Sequence, residues 1–228
     1  MNLSIGRNIP LDEEAFRLRR WHMVEEQIVR RNVRDKRVLE AMRSVPRHQF
    51  VAEEYRPFAY EDNPQPTLSG QTISQPYIVA SMTELLQVRE SSRVLEIGTG
   101  CGYQAAVLSR IASQVFSVEL LPELHHLALT TLVRLGYDNI RLRLGDGSLG
   151  WPEEAPFDGI IVTAAAPEIP TPLLDQLAQG GRLVIPLKRE DSEDQVLTLV
   201  QKESLSLVSR ELYPVRFVPL CRGGREPR

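Results

Sequence analysis

Val94-Leu95-Glu96-Ile97-Gly98-Thr99-Gly100-Cys101-Gly102-Tyr103 is the stretch on which the fold turns. An apolar run that ends in Gly-x-Gly-x-Gly and continues into Gln104-Ala105-Ala106 predicts a strand, a tight turn and a helix. Glycines there permit the turn and let a ligand approach the backbone N–H groups at the helix start. The expected occupant is nucleotide-like. A dinucleotide fingerprint counted from Gly98 would need a glycine where Tyr103 stands. Glu96 would also face a pyrophosphate unfavourably, whereas it suits a ligand with a cationic amino-acid end. A nicotinamide-dependent dehydrogenase is therefore the weaker reading of the same turn.

Outward from this stretch, strand and helix alternate. Strands are predicted at 93–97, 114–118, 140–144, 157–162, 182–186, 195–201 and 211–220, with helices at 104–111, 122–135 and 172–177, the last ended near Gly180-Gly181. This pattern predicts an α/β fold: a Rossmann-like, doubly wound, mostly parallel sheet of about seven strands. No helix of useful length separates the last two strands, so the sheet should end in an antiparallel C-terminal edge strand. Upstream, Ser74-Gln75-Pro76 reads as a helix start, with Ser or Gln as the cap. Between Asp12 and Glu54 glycine and proline are almost absent, and the apolar spacing predicts two N-terminal helices separated near Asn32 to Asp35.

Composition narrows the chemistry. The chain has 228 residues, 27 basic and 30 acidic side chains, and a net charge of −3, which lacks the electrostatic signature of a nucleic-acid binder. No long apolar run suggests a membrane span or a secretory leader. The two cysteines, Cys101 and Cys221, have no metal-binding or disulfide-framework spacing, so a cytoplasmic setting and no metal are expected. The four His residues form no recognisable triad, and His125-His126 point apart on a helix. Only three basic residues are Lys (Lys36, Lys188, Lys202), and the arginine excess reads as a compositional bias.

Two more carboxylates stand at predicted strand ends. Glu119 closes the strand after the glycine turn, where an acid accepts hydrogen bonds from ribose hydroxyls, and Asp146-Gly147 follows the next strand. Together with Val45-Pro46-Arg47-His48-Gln49-Phe50-Val51, Gly70-Gln71-Thr72-Ile73-Ser74-Gln75-Pro76, Phe157-Asp158-Gly159-Ile160-Ile161-Val162 and Val215-Arg216-Phe217-Val218-Pro219-Leu220, these segments resemble the protein-L-isoaspartate (D-aspartate) O-methyltransferases, class I S-adenosylmethionine-dependent enzymes. The resemblance runs in order from about Met23 to Leu220. Gln-Thr-Ile-Ser-Gln-Pro is its most specific part. Cys101 stands where many relatives have Ser, and Tyr77 where some have His.

The resemblance implies methyl transfer from S-adenosylmethionine to the free α-carboxylate of L-isoaspartyl residues in damaged proteins and peptides. It implies Ser74 as the active-site residue that orients this carboxylate, with Thr72 and Ile73 gripping the substrate and Arg216 meeting a substrate carboxylate. It implies a cofactor site made by Gly98, Gly100 and Gly102, with Glu96 near the methionine amine, Glu119 on the ribose and Asp146-Gly147 beside adenine. It implies one methyltransferase domain over 21–228: a helical front end and substrate loop at 21–73, the nucleotide-binding core at 74–190 and a C-terminal β portion at 191–228. Residues 1–20 fall outside it and are expected to be a flexible extension. A monomer without nucleic-acid or membrane partners is expected. A small-molecule or RNA methyltransferase, or a binding module that kept the cleft, remain the alternatives.

Overall fold

The computed structural model describes residues 12–190 and 192–223. In chain order its elements are α1 (Glu13–Met23), α2 (Lys36–Ser44), a two-residue strand β1 (Gln65–Pro66), its antiparallel partner β2 (Thr72–Ile73) and α3 (Pro76–Leu86). There follow β3 (Arg93–Ile97), α4 (Tyr103–Ser109), β4 (Gln114–Glu119), α5 (Pro122–Arg134), β5 (Ile140–Leu144), β6 (Phe157–Val162) and α6 (Thr171–Gln176). The last three are β7 (Leu177–Lys188), β8 (Gln195–Lys202) and β9 (Leu207–Val215).

Seven strands form one sheet in the order β5-β4-β3-β6-β7-β8-β9. The first five are parallel, β8 runs antiparallel to β7, and β9 runs antiparallel to β8. The two final strands are joined by a tight connection in which Glu203 N donates to Ser206 O at 2.8 Å. Side-chain parity splits the core. Val94 and Val115 face one layer with Val79, Ala106 and Ala128, while Leu95, Ile97, Phe116 and Val118 face the other with Trp151, Phe157 and Leu173. Burial on both faces is what a parallel sheet requires.

The second layer is thin beside β5, because residues 145–156 contain only short turns instead of a crossover helix. Arginine stems cover the gap. The Arg93 guanidinium lies 4.7 Å from the Phe116 ring centre, and Arg141 and Arg143 lie 5.4 and 5.5 Å from that of Trp151. Arg141 and Arg143 also pair with Glu154 and Glu153. Part of the arginine excess thus has a packing role.

Three boundaries differ from expectation. Of the expected flexible extension, residues 1–11 lie outside the described residues, but Glu13–Arg20 are helical. Asp12 caps α1 by accepting from Ala15 N at 2.8 Å, and Phe16 stacks on His48 with ring centres 4.0 Å apart. Leu177 belongs to β7, not to the preceding helix: Gly180-Gly181 sit where the β6–β7 register shifts, so they bend a strand that has already begun. The last strand runs over Leu207–Val215, starting and ending earlier than 211–220, because it pairs along the length of β8. The predicted break between the front helices is found where expected: Asn32 takes a left-handed conformation (φ 68°) and Asp35 caps α2. Among the described residues, no helix is long and apolar enough to cross a membrane.

Candidate active site

β3 neighbours β4 on one side and β6 on the other, so the connections leave its carboxyl end in opposite directions and a crevice opens there. An open cleft of about 1020 Å³, the solvent in its mouth included, lies at this point. Its floor is the glycine turn. One wall is the end of β4 with Leu120 and Leu121, another is Thr72-Ile73-Ser74 with the first turns of α3, and a third is the segment Val218–Cys221. That third wall is tied down by main-chain bonds, Ala165 N to Val218 O and Leu220 N to Ala165 O, both 2.8 Å.

The turn is shaped by steric demands as well as by flexibility. Gly98 has φ +91°, and a Cβ there would collide with Thr163 Oγ1, which donates to Ile97 O at 3.0 Å and to Gly98 O at 2.6 Å. Gly100, which also lines the cleft, has φ +56° and open space where its side chain would be. A Cβ on Gly147 would strike Ile97 Cγ2. Glu119 pins the turn from the side: Oε2 accepts from Gly100 N at 2.8 Å and Oε1 from Leu121 N at 3.0 Å.

Parity explains Glu96. It alternates with Leu95 and Ile97, so it points into the α4 layer under the turn rather than into the cleft. It is fully buried, bonded through Oε2 to the hydroxyl of Ser117, its register partner on β4, while Oε1 has no partner among the described residues. Burial pushes its pKa up to about 8, against the opposing Ser117 bond, and the nearby Glu119 adds to the rise. The folded state therefore holds a proton that the unfolded chain releases near 4.5, so stability falls as pH rises from about 4.5 through 8. Glu96→Gln removes that loss. Urea unfolding at pH 5 and pH 8.5 is expected to show the variant gaining on the wild type by a few kcal/mol at the higher pH, and equal pH slopes would rule this out.

Of the residues expected at the site, Thr72, Ile73, Ser74, Gly98, Gly100, Glu119 and Gly147 line this one cleft. Glu96, Gly102, Asp146 and Arg216 are not on its lining. Gly102 lies behind it, in left-handed conformation at the start of α4, where a Cβ would press on Leu132 and Ala128. Asp146 is occupied by its neighbours: Oδ1 accepts from Ser148 N (2.9 Å) and Oγ (2.7 Å), and Oδ2 accepts from Gly223 N (2.7 Å). Burial pushes its pKa up, but the bonds from Ser148 and Gly223 outweigh this and leave it below the ordinary value. Arg216 is exposed just past the end of β9.

Ser74 is not the helix cap. Gln75 takes that position and makes no side-chain cap bond, so the Ser74 hydroxyl is not spent on α3. Sequence reasoning missed Thr163, which wedges the turn, and the cleft-lining role of Val218–Cys221, which reads as an ordinary strand. It also passed over Arg47, buried behind the turn, in a segment quoted only for its resemblance.

Comparison with known proteins agrees with this architecture. The family model for protein-L-isoaspartate (D-aspartate) O-methyltransferase matches residues 18–225. A protein-L-isoaspartate O-methyltransferase of Anaeromyxobacter sp. is 54% identical over 205 residues, covering 90% of this chain and 84% of its own. One from Opitutus terrae is 53% identical over 220 residues, covering 96% and 94%. A solved protein-L-isoaspartate O-methyltransferase superposes with a TM-score of 0.80 at 32% identity, covering 89% of this chain and 65% of that longer one. Another, from Plasmodium falciparum in complex with S-adenosyl-L-homocysteine, gives a TM-score of 0.76 at 26% identity, covering 90% of this chain and 99% of its own. A Rossmann-like sheet with an antiparallel C-terminal edge, a glycine turn at its switch point and a family match along nearly its whole length place this chain in the protein-L-isoaspartate (D-aspartate) O-methyltransferase family.

Proposed function

We propose that this protein repairs damaged polypeptides by transferring the methyl group of S-adenosylmethionine to the free α-carboxylate of L-isoaspartyl residues, acting as a cytoplasmic monomer. The observation that carries this reading is the meeting of Thr72-Ile73-Ser74 with the glycine turn and Glu119 across one cleft. The lining suits an adenosyl ligand: open space over Gly100, an acid with acceptor capacity left at Glu119, and apolar walls from Val118, Leu121 and Leu124. When bound, S-adenosylmethionine supplies a methyl group activated by the sulfonium.

The chain's own residues have little proton chemistry to perform. An α-carboxylate with a pKa near ~3.5 is already ionised at neutral pH, so no general base is needed. Accordingly, the described lining contains no Lys, Arg or His. Ser74 would donate its hydroxyl to one carboxylate oxygen while the backbone of Thr72 and Ile73 holds the peptide. Glu119 would take the ribose hydroxyls, and the loop at Asp146-Gly147 would lie beside the adenine. Orientation of this kind contributes up to roughly 7–11 kcal/mol in favourable cases. The methyl ester leaves and, without further help from the protein, closes to a succinimide as the following backbone nitrogen attacks the ester carbonyl and displaces methanol.

The test uses methyl-labelled S-adenosylmethionine with an isoaspartyl peptide and its aspartyl twin. Label should enter only the first, and equal labelling of both, or of neither, would sink the assignment. Ser74→Ala is expected to lower kcat by about tenfold or more, the loss of one hydrogen bond to a charged group. Cofactor affinity should change little. The reverse pattern would show that Ser74 serves the cofactor instead.

A further inference from the structure

The cleft poses an electrostatic problem. On the reading above it must receive two carboxylates, one on the cofactor's amino-acid end and one on the substrate. Yet its described lining carries a carboxylate of its own, Glu119, and no cation. Arg216, expected to meet an anion, is not on it.

A positive charge lies immediately behind the lining. Arg47 has no exposed surface. Its Nε donates to Ala59 O at 2.7 Å, and its guanidinium sits 4.9 Å from the ring centre of Tyr103, a residue of the cleft wall. Both terminal nitrogens, Nη1 and Nη2, are buried without a hydrogen-bond partner among the described residues, and no carboxylate of those residues lies within ion-pair distance. Arg20, the other buried arginine among the described residues, is by contrast spent on Arg43 O and the Tyr60 hydroxyl. Glu96 offers no compensation, since burial keeps it protonated at neutral pH. A buried cation that lacks a counterion costs several kcal/mol. Burial pulls the Arg47 pKa down, and the ring against which the guanidinium lies, Tyr103, belongs to the cleft wall.

We propose that Arg47 is a positioning residue for the amino-acid carboxylate of the cofactor, its buried charge setting a positive potential in the part of the cleft walled by Cys101 and Tyr103. The carboxylate of the cofactor is chosen over that of the substrate because Cys101 belongs to the glycine turn and Tyr103 opens the helix that follows it, the part of the lining expected to hold the cofactor. Charge acts through this wall because little water lies between: Tyr103 is 1% exposed and Cys101 is 4% exposed. The inference rests on the cofactor reading given above.

The test is calorimetric binding of two neutral-sulfur ligands, S-adenosylhomocysteine and the same molecule lacking its carboxylate. The wild-type protein should prefer the carboxylate-bearing ligand by about tenfold, the scale of one charge pair acting across a low-dielectric wall. Arg47→Met should lower the affinity for S-adenosylhomocysteine and leave that for the decarboxylated ligand nearly unchanged. Arg47→Lys, which keeps the charge, should keep the preference. Equal binding of both ligands by the wild type would overturn the proposal without any variant. A proportionate loss of both in Arg47→Met would reduce Arg47 to a structural role, and loss of the preference in Arg47→Lys would show that charge is not the agent. If Arg47→Met fails to fold, as circular dichroism would show, the wild type and Arg47→Lys still decide. Failure of the wild type to bind either adenosyl ligand would reject the cofactor reading itself, a result distinct from equal binding.

Discussion

Replacing Glu119 by alanine is expected to raise the dissociation constant for S-adenosylhomocysteine by about 10- to 100-fold. Two losses combine. The ribose hydroxyls lose a charged acceptor, worth roughly 1.5–3 kcal/mol. The turn also loses its lateral pin, because Gly100 N and Leu121 N both donate to this carboxylate. Glu119→Gln should be milder, since one acceptor oxygen survives. Calorimetric titration checks the affinity, and unchanged binding by the alanine variant would remove Glu119 from the site. A denaturation midpoint measured alongside separates the two losses: the pinning bonds act in the free protein, the ribose contacts only in the complex.

Gly98→Ala should damage fold and binding together. A left-handed backbone costs an L-residue about 1–2 kcal/mol. The new Cβ would also displace the Thr163 hydroxyl, breaking its bonds to Ile97 O and Gly98 O. A loss of roughly 2–4 kcal/mol in unfolding free energy is expected, together with at least about tenfold weaker cofactor binding. Gly100→Ala serves as the control. Its Cβ meets nothing within 4 Å, so its stability cost should be backbone strain alone, about 1–2 kcal/mol. Denaturant unfolding of both variants decides: if Gly98→Ala proves no less stable than Gly100→Ala, the steric account of the turn is refuted.

The sheet was largely legible because burial on both faces leaves long apolar runs, and because glycine and proline mark most of the ends. Errors fell where pairing partners decide. Gly180-Gly181 looks like a helix stop until β6 is seen alongside, and the extent of β9 is set by β8. At the site, the glycine turn could be located from spacing, but spacing does not show that Gly102 sits behind the cleft while Gly98 and Gly100 line it. Nor could Glu96 be placed, although strand parity already pointed it away from its neighbours Leu95 and Ile97. The occupation of Asp146 by Gly223, 77 positions later, leaves no local trace, and neither does the approach of Arg47 to Tyr103. The arginine excess reads as bias in the sequence, yet three of those side chains roof aromatic rings that no helix covers.

The wall at Val218–Cys221 completes a cleft that is also lined by Gln71–Ser74. Synthesis proceeds from one to the other, so a nascent chain can complete the glycine turn and most of the parallel strands while the cleft still stands open. Only when residue 221 has left the ribosome can the last wall dock against Ala165. A complete cleft therefore awaits residues 218–221, and the onset of cofactor binding during translation would time their arrival.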